Sequence, residues 1–266
     1  MTKEKVRHIL SLSGGKDSAA LAVYMHKKVP QLEYVFCDTH KELPETYEFL
    51  VRLEARLGIK ITHLSSERGF DHWLQVYGGY LPSVKARWCT KQLKIVPFEK
   101  YAGDDTIFSY IGIRADEDRT GYISTKPNIK PVYPFKEAGL VKKDIFRLLG
   151  DSGIGMPSYY RWRSRSGCYF CFFQRKYEWI RLAEEHPDLF KEAMRYETSH
   201  GDGRTFYWNQ GESLSELIQR REQILEDFEK TLVRKSSESK GKTLAEALEK
   251  MLEDEGSDPP CLICYL

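Results

Sequence analysis

The stretch Ser13-Gly14-Gly15-Lys16-Asp17-Ser18 constrains this chain more than any other. It follows an apolar run of strand length, Val6–Leu12, and opens a helical pattern through Ala19, Leu21, Ala22, Val23 and Met25 that closes near Pro30. At such a junction the backbone N–H groups of the first helical turn and the positive helix end meet in one place, which suits an anion. Two glycines let the main chain approach that anion closely. Lys16 can neutralise phosphate charge, Ser13 and Ser18 can donate hydroxyl hydrogen bonds, and Asp17 can hold Mg2+. The spacing differs from the GxxxxGK[ST] loop of the common nucleotidases. A glycine-bearing strand–helix turn without a ligand is the plainer alternative.

The neighbouring patterns repeat this alternation. Leu32–Cys37, Ile59–Leu64 and Thr106–Arg114 read as strands, and Pro44–Leu57, Phe70–Tyr77, Cys89–Tyr101 and Val141–Leu149 as helices. Pro44 and Gly58 punctuate the first of these helices in the usual order. The pattern predicts an α/β fold, a Rossmann-like parallel sheet with helices on both faces. After about residue 170 the strand signals stop, and Lys176–Glu185, Pro187–Tyr196, Ser213–Arg234 and Thr243–Glu253 read as a C-terminal helical extension. The expected organisation is a nucleotide-binding domain over 1–170, a helical region over 171–252 and a mobile cysteine-bearing tail over 253–266.

Charge divides the chain differently. A formal net charge of +2 hides 11 Lys and Arg against 10 acids over residues 1–84, 17 against 9 over 85–175, and 13 against 20 over 176–266. The middle third is basic enough to meet a polyanion, and the last third is an acidic counterweight. Lys85, Arg87, Lys91 and Lys94, then Tyr159-Tyr160-Arg161-Trp162-Arg163-Ser164-Arg165, interleave cations with aromatic rings that can stack on bases. A solvated face of stacked arginines is the alternative. Apolar residues at 41% can fill a core, and no apolar run approaches the roughly 18 residues of a membrane helix. A soluble, cytoplasmic protein is expected.

Several segments carry a family resemblance. Ser13–Ser18 resembles the SGGxDS PP-loop of the N-type ATP pyrophosphatases. Phe36-Cys37-Asp38-Thr39 with Leu43-Pro44-Glu45-Thr46 is similar to the "DTG…FPET" region of the phosphoadenylylsulfate (PAPS) reductase superfamily, His40 standing in place of the usual glycine. Gly112-Ile113-Arg114-Ala115-Asp116-Glu117-Asp118-Arg119 is similar to that superfamily's "GxRxxEsxxR" stretch. Arg87-Trp88-Cys89-Thr90 with Leu93-Lys94-Ile95-Val96-Pro97 resembles the RxCCxxRKxxP segment of adenylylsulfate reductases, and more closely its form in the DNA phosphorothioation ATP pyrophosphatases, the DndC and SspD group. The resemblance covers roughly residues 6–175.

It implies cleavage of ATP between the α and β phosphates, with AMP passed to an oxygen that sulfur later replaces. Lys16, Asp17 and Arg114 are the implied catalytic residues. Ser11, Ser13, Gly14, Gly15, Ser18, Asp38, Thr39, Arg87, Gly112 and Arg119 join them in the nucleotide-binding set. The implied partners are a cysteine desulfurase as sulfur donor, DNA, and other DNA-modification subunits, with a homodimer compatible. Reduction of a sulfonucleotide, thiolation of tRNA, and a non-catalytic subunit binding nucleotide and iron–sulfur are the alternatives.

Six cysteines complete the picture: Cys37, Cys89, Cys168, Cys171, Cys261 and Cys264. Two Cys-x-x-Cys pairs suggest metal or sulfur chemistry in a reducing compartment. Tetrahedral zinc is one reading. The aromatic surroundings Tyr169, Phe170, Phe172 and Phe173 favour a shielded [4Fe–4S] cluster on Cys89, Cys168, Cys171 and a tail thiolate from Cys261 or Cys264. A persulfide relay or ordinary buried thiols need no metal. Cys37, inside a strand signal, reads as packing.

Overall fold

The computed structural model describes residues 5–118, 124–197, 205–209 and 211–238. These fall into two compact units, one of residues 5–70 with 88–158 and one of 71–87 with 159–238.

The first unit is built on five parallel strands in the order β3-β2-β1-β4-β5: β1 (Val6–Leu12), β2 (Leu32–Asp38), β3 (Ile61–Ser65), β4 (Thr106–Tyr110) and β5 (Ile129–Val132). Alternate residues of β1 and β2 point to opposite faces, and both faces are buried. Leu10, Leu12, Tyr34 and Phe36 enter a core with α1 (Lys16–Met25), α2 (Pro44–Leu57) and α7 (Lys142–Asp151). Ile9, Val35 and Cys37 enter a second core with Leu64, Ile107, and Phe98 and Ala102 of α5 (Val96–Ala102). The parallel sheet with helices on both faces is therefore the fold of this unit. Each fully buried Leu, Ile, Val or Phe side chain contributes about 1.5–3 kcal/mol.

The departures from the sequence pattern are local. β5 shows no strand signal because Lys130 and Pro131 interrupt it; at the sheet edge, a proline is tolerated. The strand expected over Thr106–Arg114 leaves the ladder at Tyr110. The helix expected over Cys89–Tyr101 is three pieces, α4 (Trp88–Thr90), a π-helical turn (Lys91–Ile95) and α5. In that turn the Lys94 carbonyl accepts from Cys37 Sγ at 3.6 Å. Short helices α3 (Phe70–Val76) and α6 (Pro134–Glu137) connect the larger elements.

The second unit is helical: α8 (Lys176–Glu185), α9 (Pro187–Arg195), α10 (Leu214–Gln219) and α11 (Arg221–Glu238). One helix expected over Ser213–Arg234 is thus two, separated at Arg220. Trp179, Phe170, Tyr196 and Trp208 form its aromatic centre, with Phe170 stacked on Trp208 at 5.0 Å between ring centroids. The helix expected over Thr243–Glu253 lies outside the described residues.

Candidate functional site

After β1 the chain crosses to β2 on one side, and the later strands β4 and β5 lie on the other. That direction reverses at the C-terminal ends of β1 and β4, the place where parallel α/β sheets bind ligands. Two of the sequence motifs flank it, Ser13–Ser18 after β1 and Gly112–Arg114 after β4.

Local backbone demands explain the two glycines that matter most. Gly14 stands at φ 72°, and a Cβ there would overlap the Thr46 methyl of α2. A Cβ on Gly112 would sit 3.1 Å from the Asp17 carbonyl oxygen, so glycine is what allows the β4 exit to lie against the loop. Ser18 Oγ closes the loop on itself, accepting from the Ser13 N–H at 3.1 Å and donating to the Gly15 carbonyl at 3.2 Å.

Beneath the loop lies a chain of buried charges. Lys16 and Asp17 are 1% and 2% exposed. Lys16 Nζ is 3.2 Å from Asp17 Oδ2, and Arg114 Nη1 donates to Asp17 Oδ1 at 2.8 Å. Burial alone would push the Asp17 carboxyl up, but Lys16 and Arg114 together hold it below the usual carboxylate range. Arg114 is gripped further by Asp116 Oδ1 at 3.0 Å and lies 2.8 Å from Glu117 Oε1. Asp17, expected to hold Mg2+, instead bridges two cations with both oxygens. Among the described residues no three His, Cys, Asp or Glu side chains form a group able to hold a metal ion.

Ser11 on β1 and Ser109 on β4 share one face of the sheet, and their hydroxyls are buried without a hydrogen-bond partner among the described residues. Buried orphans of this kind at strand ends suit contact with a bound group.

A second cluster sits one strand over. Asp38, at the end of β2, accepts from the His40 N–H and Tyr47 Oη, both at 2.8 Å, and pairs with His63 Nδ1 at 3.1 Å. Burial raises its pKa, and the His40, His63 and Tyr47 donors outweigh that and hold it low. Glu42 accepts from Thr39 Oγ1 at 2.8 Å and lies 3.4 Å from the same Tyr47 hydroxyl. Its pKa is raised because burial, with the Asp38 charge, outweighs Lys94 and the Thr39 and Lys41 donors. His40 stands at φ 57°, the only positive φ of a non-glycine among the described residues. Sequence reasoning singled out Asp38 and Thr39 but missed Glu42, Tyr47 and His63; they lie close only once β2, β3 and α2 are packed.

The other candidates divide. Arg87 belongs to the second unit, where its guanidinium stacks 5.1 Å above Phe173. Arg119, Cys261 and Cys264 lie outside the described residues. Cys37 is buried, which pushes its thiol up to about 12, in keeping with packing. Cys89 is the middle residue of α4, with Sγ 3.9 Å from Thr90 Oγ1. Cys168 and Cys171 share one turn, the Cys171 N–H donating to the Cys168 carbonyl at 3.0 Å. That turn is braced by Arg163, which is fully buried and donates to the Gly167 and Cys168 carbonyls at 3.2 and 2.7 Å. Arg163 and Trp162, expected on a polyanion-facing surface, are therefore interior. The described residues supply a thiol pair and not a full cluster or zinc ligand set.

Comparison with known proteins bears on this geometry. Residues 7–133 match the family model of the phosphoadenosine phosphosulfate reductase domain. An uncharacterized protein of Methanocaldococcus jannaschii is 25% identical over 196 residues, 68% of this chain and 45% of its own length. Another from that organism is 27% identical over 206 residues, 71% of this chain and 42% of its own length. An uncharacterized nin region protein of Escherichia phage lambda is 30% identical over 171 residues, 52% of this chain and 57% of its own length. The chain thus spans about half the length of these curated relatives. Among solved structures, a phosphoadenylyl-sulfate reductase from Candida auris in a phosphate complex aligns with 61% of this chain and 81% of its own, at 12% identity and a TM-score of 0.48. The U34-tRNA thiolase NcsA from Methanococcus maripaludis with its [4Fe–4S] cluster aligns with 73% of this chain and 72% of its own, at 16% identity and a TM-score of 0.40. Likenesses that distant say nothing about chemistry. The family match, in contrast, spans the loop, the Asp38 strand end and Arg114, and it is in residues 7–133 that this chain is similar to the phosphoadenosine phosphosulfate reductase domain.

Proposed function

We propose that this chain is an ATP pyrophosphatase that adenylates an oxygen, a DNA backbone phosphate oxygen in the reading favoured here, so that sulfur can replace it. The observation that carries the proposal is the buried Lys16–Asp17–Arg114 chain directly under the phosphate loop at the sheet's switch point. In this reading the N–H groups at the start of α1 and the Lys16 ammonium receive the departing pyrophosphate. Asp17 holds Lys16 and Arg114 in fixed positions, so little reorganisation is needed as charge moves from the α,β-bridge to the leaving group. The acceptor oxygen attacks the α-phosphorus, the α–β bridge breaks, and pyrophosphate leaves. The terminal sulfur of a persulfide, supplied by a cysteine desulfurase partner, then displaces AMP, and a second thiolate attacks the persulfide's inner sulfur, releasing the phosphorothioate and leaving a disulfide.

A loop that keeps both glycines, Lys16 and Asp17 suits a pyrophosphate leaving group, which a pre-activated sulfonucleotide does not release. Cys168 and Cys171 offer this reading a thiol pair to receive persulfide sulfur or to ligate a cluster with thiolates outside the described residues. Incubation with ATP and Mg2+ is expected to give AMP and pyrophosphate; ADP and phosphate would overturn the assignment. A second reading, sulfonucleotide reduction, draws support from the matched family's description. Sulfite release from phosphoadenylylsulfate with a thiol donor, and no turnover of ATP, would establish it. Mass spectrometry of DNA and tRNA from cells with and without the chain separates DNA from tRNA as the sulfur acceptor.

A further inference from the structure

The basic and aromatic residues of the second unit come together where the sequence does not run continuously. Nine large hydrophobic side chains are exposed among the described residues, and four of them, Val76, Tyr77, Tyr80 and Val84, fall within nine consecutive positions. A fifth, Tyr207, follows Phe206, whose ring meets Tyr80 edge-on at 4.9 Å. The three exposed tyrosines, each about two-fifths accessible, are thus gathered by two segments of one unit.

Cations belong to the same unit, and two of them follow Tyr80 within seven residues. Ser83 and Ala86 exchange backbone hydrogen bonds, 3.2 and 3.1 Å, in a tight turn that leaves Val84 and Lys85 outward and returns the chain at Arg87. Arg87 and Arg165 both stack on Phe173, 5.1 and 5.2 Å from its centroid, so two guanidiniums are held together by one ring. Neither Lys85 nor Arg87 makes an ion pair among the described residues. Exposed rings beside cations are the arrangement that binds single strands: rings stack on unpaired bases and cations meet phosphates. A duplex hides its base faces and gains nothing from the tyrosines.

We propose that the Tyr77–Tyr80–Tyr207 surface, with Lys85, Arg87 and Arg165 beside it, binds an unpaired segment of DNA. The inference deepens the proposed function, resting on its choice of DNA as substrate, and adds that the strand is presented unpaired. Fluorescence anisotropy of the full chain with a labelled mixed-sequence 20-nucleotide single strand, its duplex and the matching RNA tests it. The single strand is expected to bind at least about tenfold tighter than the duplex, and each Tyr→Ala change to weaken it roughly tenfold. Tyr→Phe changes keep the ring and are expected to keep most of the affinity. Lys85→Ala should reduce the slope of log affinity against log salt by about 0.7. Equal binding of single strand and duplex, tighter binding of RNA, or Tyr→Phe losses as large as Tyr→Ala losses would overturn the proposal. AMP formation by the wild-type chain is measured alongside. A positive ATP assay without strand binding removes only this surface, and strand binding without AMP formation removes only the phosphate-loop reading.

Discussion

The Ser13–Ser18 loop and the Cys168–Cys171 turn both place an arginine in the interior, and they use it in opposite ways. Arg114 ends among carboxylates, with Asp17, Asp116 and Glu117 all within 3.0 Å, so its charge is matched and its position fixed relative to a ligand loop. Arg163 meets no carboxylate within ion-pair distance among the described residues and spends its donors on the carbonyls of Gly167 and Cys168. The first arrangement holds a matched charge network in place beneath the Ser13–Ser18 loop. The second uses a guanidinium as a multidentate donor to hold a turn closed. Buried arginine by itself therefore says nothing about catalysis; its acceptors do.

The contrast is broken most forcefully at Asp17. Asp17→Asn removes the anion between two buried cations, and breaking such a network costs about 3–5 kcal/mol. Urea unfolding should show that loss, with AMP formation falling below detection; a variant of unchanged stability would mean that Lys16 and Arg114 are not held by charge. Arg163→Met tests the other site. It keeps the volume but strips two charge-assisted hydrogen bonds, and about 2–3 kcal/mol of stability is expected to go. Arg161, two residues earlier, is exposed and sits 3.9 Å from Glu185. Arg161→Ala should therefore stay within about 0.5 kcal/mol of wild type. Equal urea midpoints for the two variants would erase the distinction.

The same two regions mark how far the sequence can be read. In the Ser13–Ser18 loop the informative residues are contiguous, and a strand–loop–helix dictates where Lys16 and Ser18 must lie. β1 and the helix Pro44–Leu57 have their expected bounds for the same reason: periodicity and punctuation agree. In the Cys168–Cys171 region Arg161, Arg163 and Arg165 are alike in composition and spacing, yet one is exposed, one fully buried and one stacked on Phe173. Burial is a tertiary property, and nothing local separates them. β5 escaped because Pro131 is compatible only with an edge position, which is known once the sheet order is. Glu42, Tyr47 and His63 escaped because the Asp38 cluster draws on three elements.

Gly112→Ala probes the loop more gently. The added Cβ would lie 3.1 Å from the Asp17 carbonyl, so the loop must retreat by a few tenths of an ångström. A stability loss of about 1–2 kcal/mol is expected, with a weaker hold on ATP measured by isothermal titration. Unchanged affinity would show that the β4 exit does not set the loop's position.

The smallest effect is expected one strand over, in the pair of carboxylates that share Tyr47. Asp38 has a lowered pKa, so its contribution is present above the unfolded carboxylate pKa of about 4 and is lost as pH falls through the folded value. Glu42 has a raised pKa, and the sign reverses: the folded state holds its proton longer than the unfolded chain does. Its contribution is complete below the unfolded value near 4.3 and declines as pH rises through the folded one. Glu42→Gln keeps an acceptor for Thr39 while removing the charge. The variant should lose that decline, its unfolding midpoint rising relative to wild type as pH climbs above about 4.3 and matching it more closely below that value. Parallel pH profiles for the two proteins would mean that Glu42 ionises in the folded chain as it does in water, and that Tyr47 and Lys94 offset its burial in full.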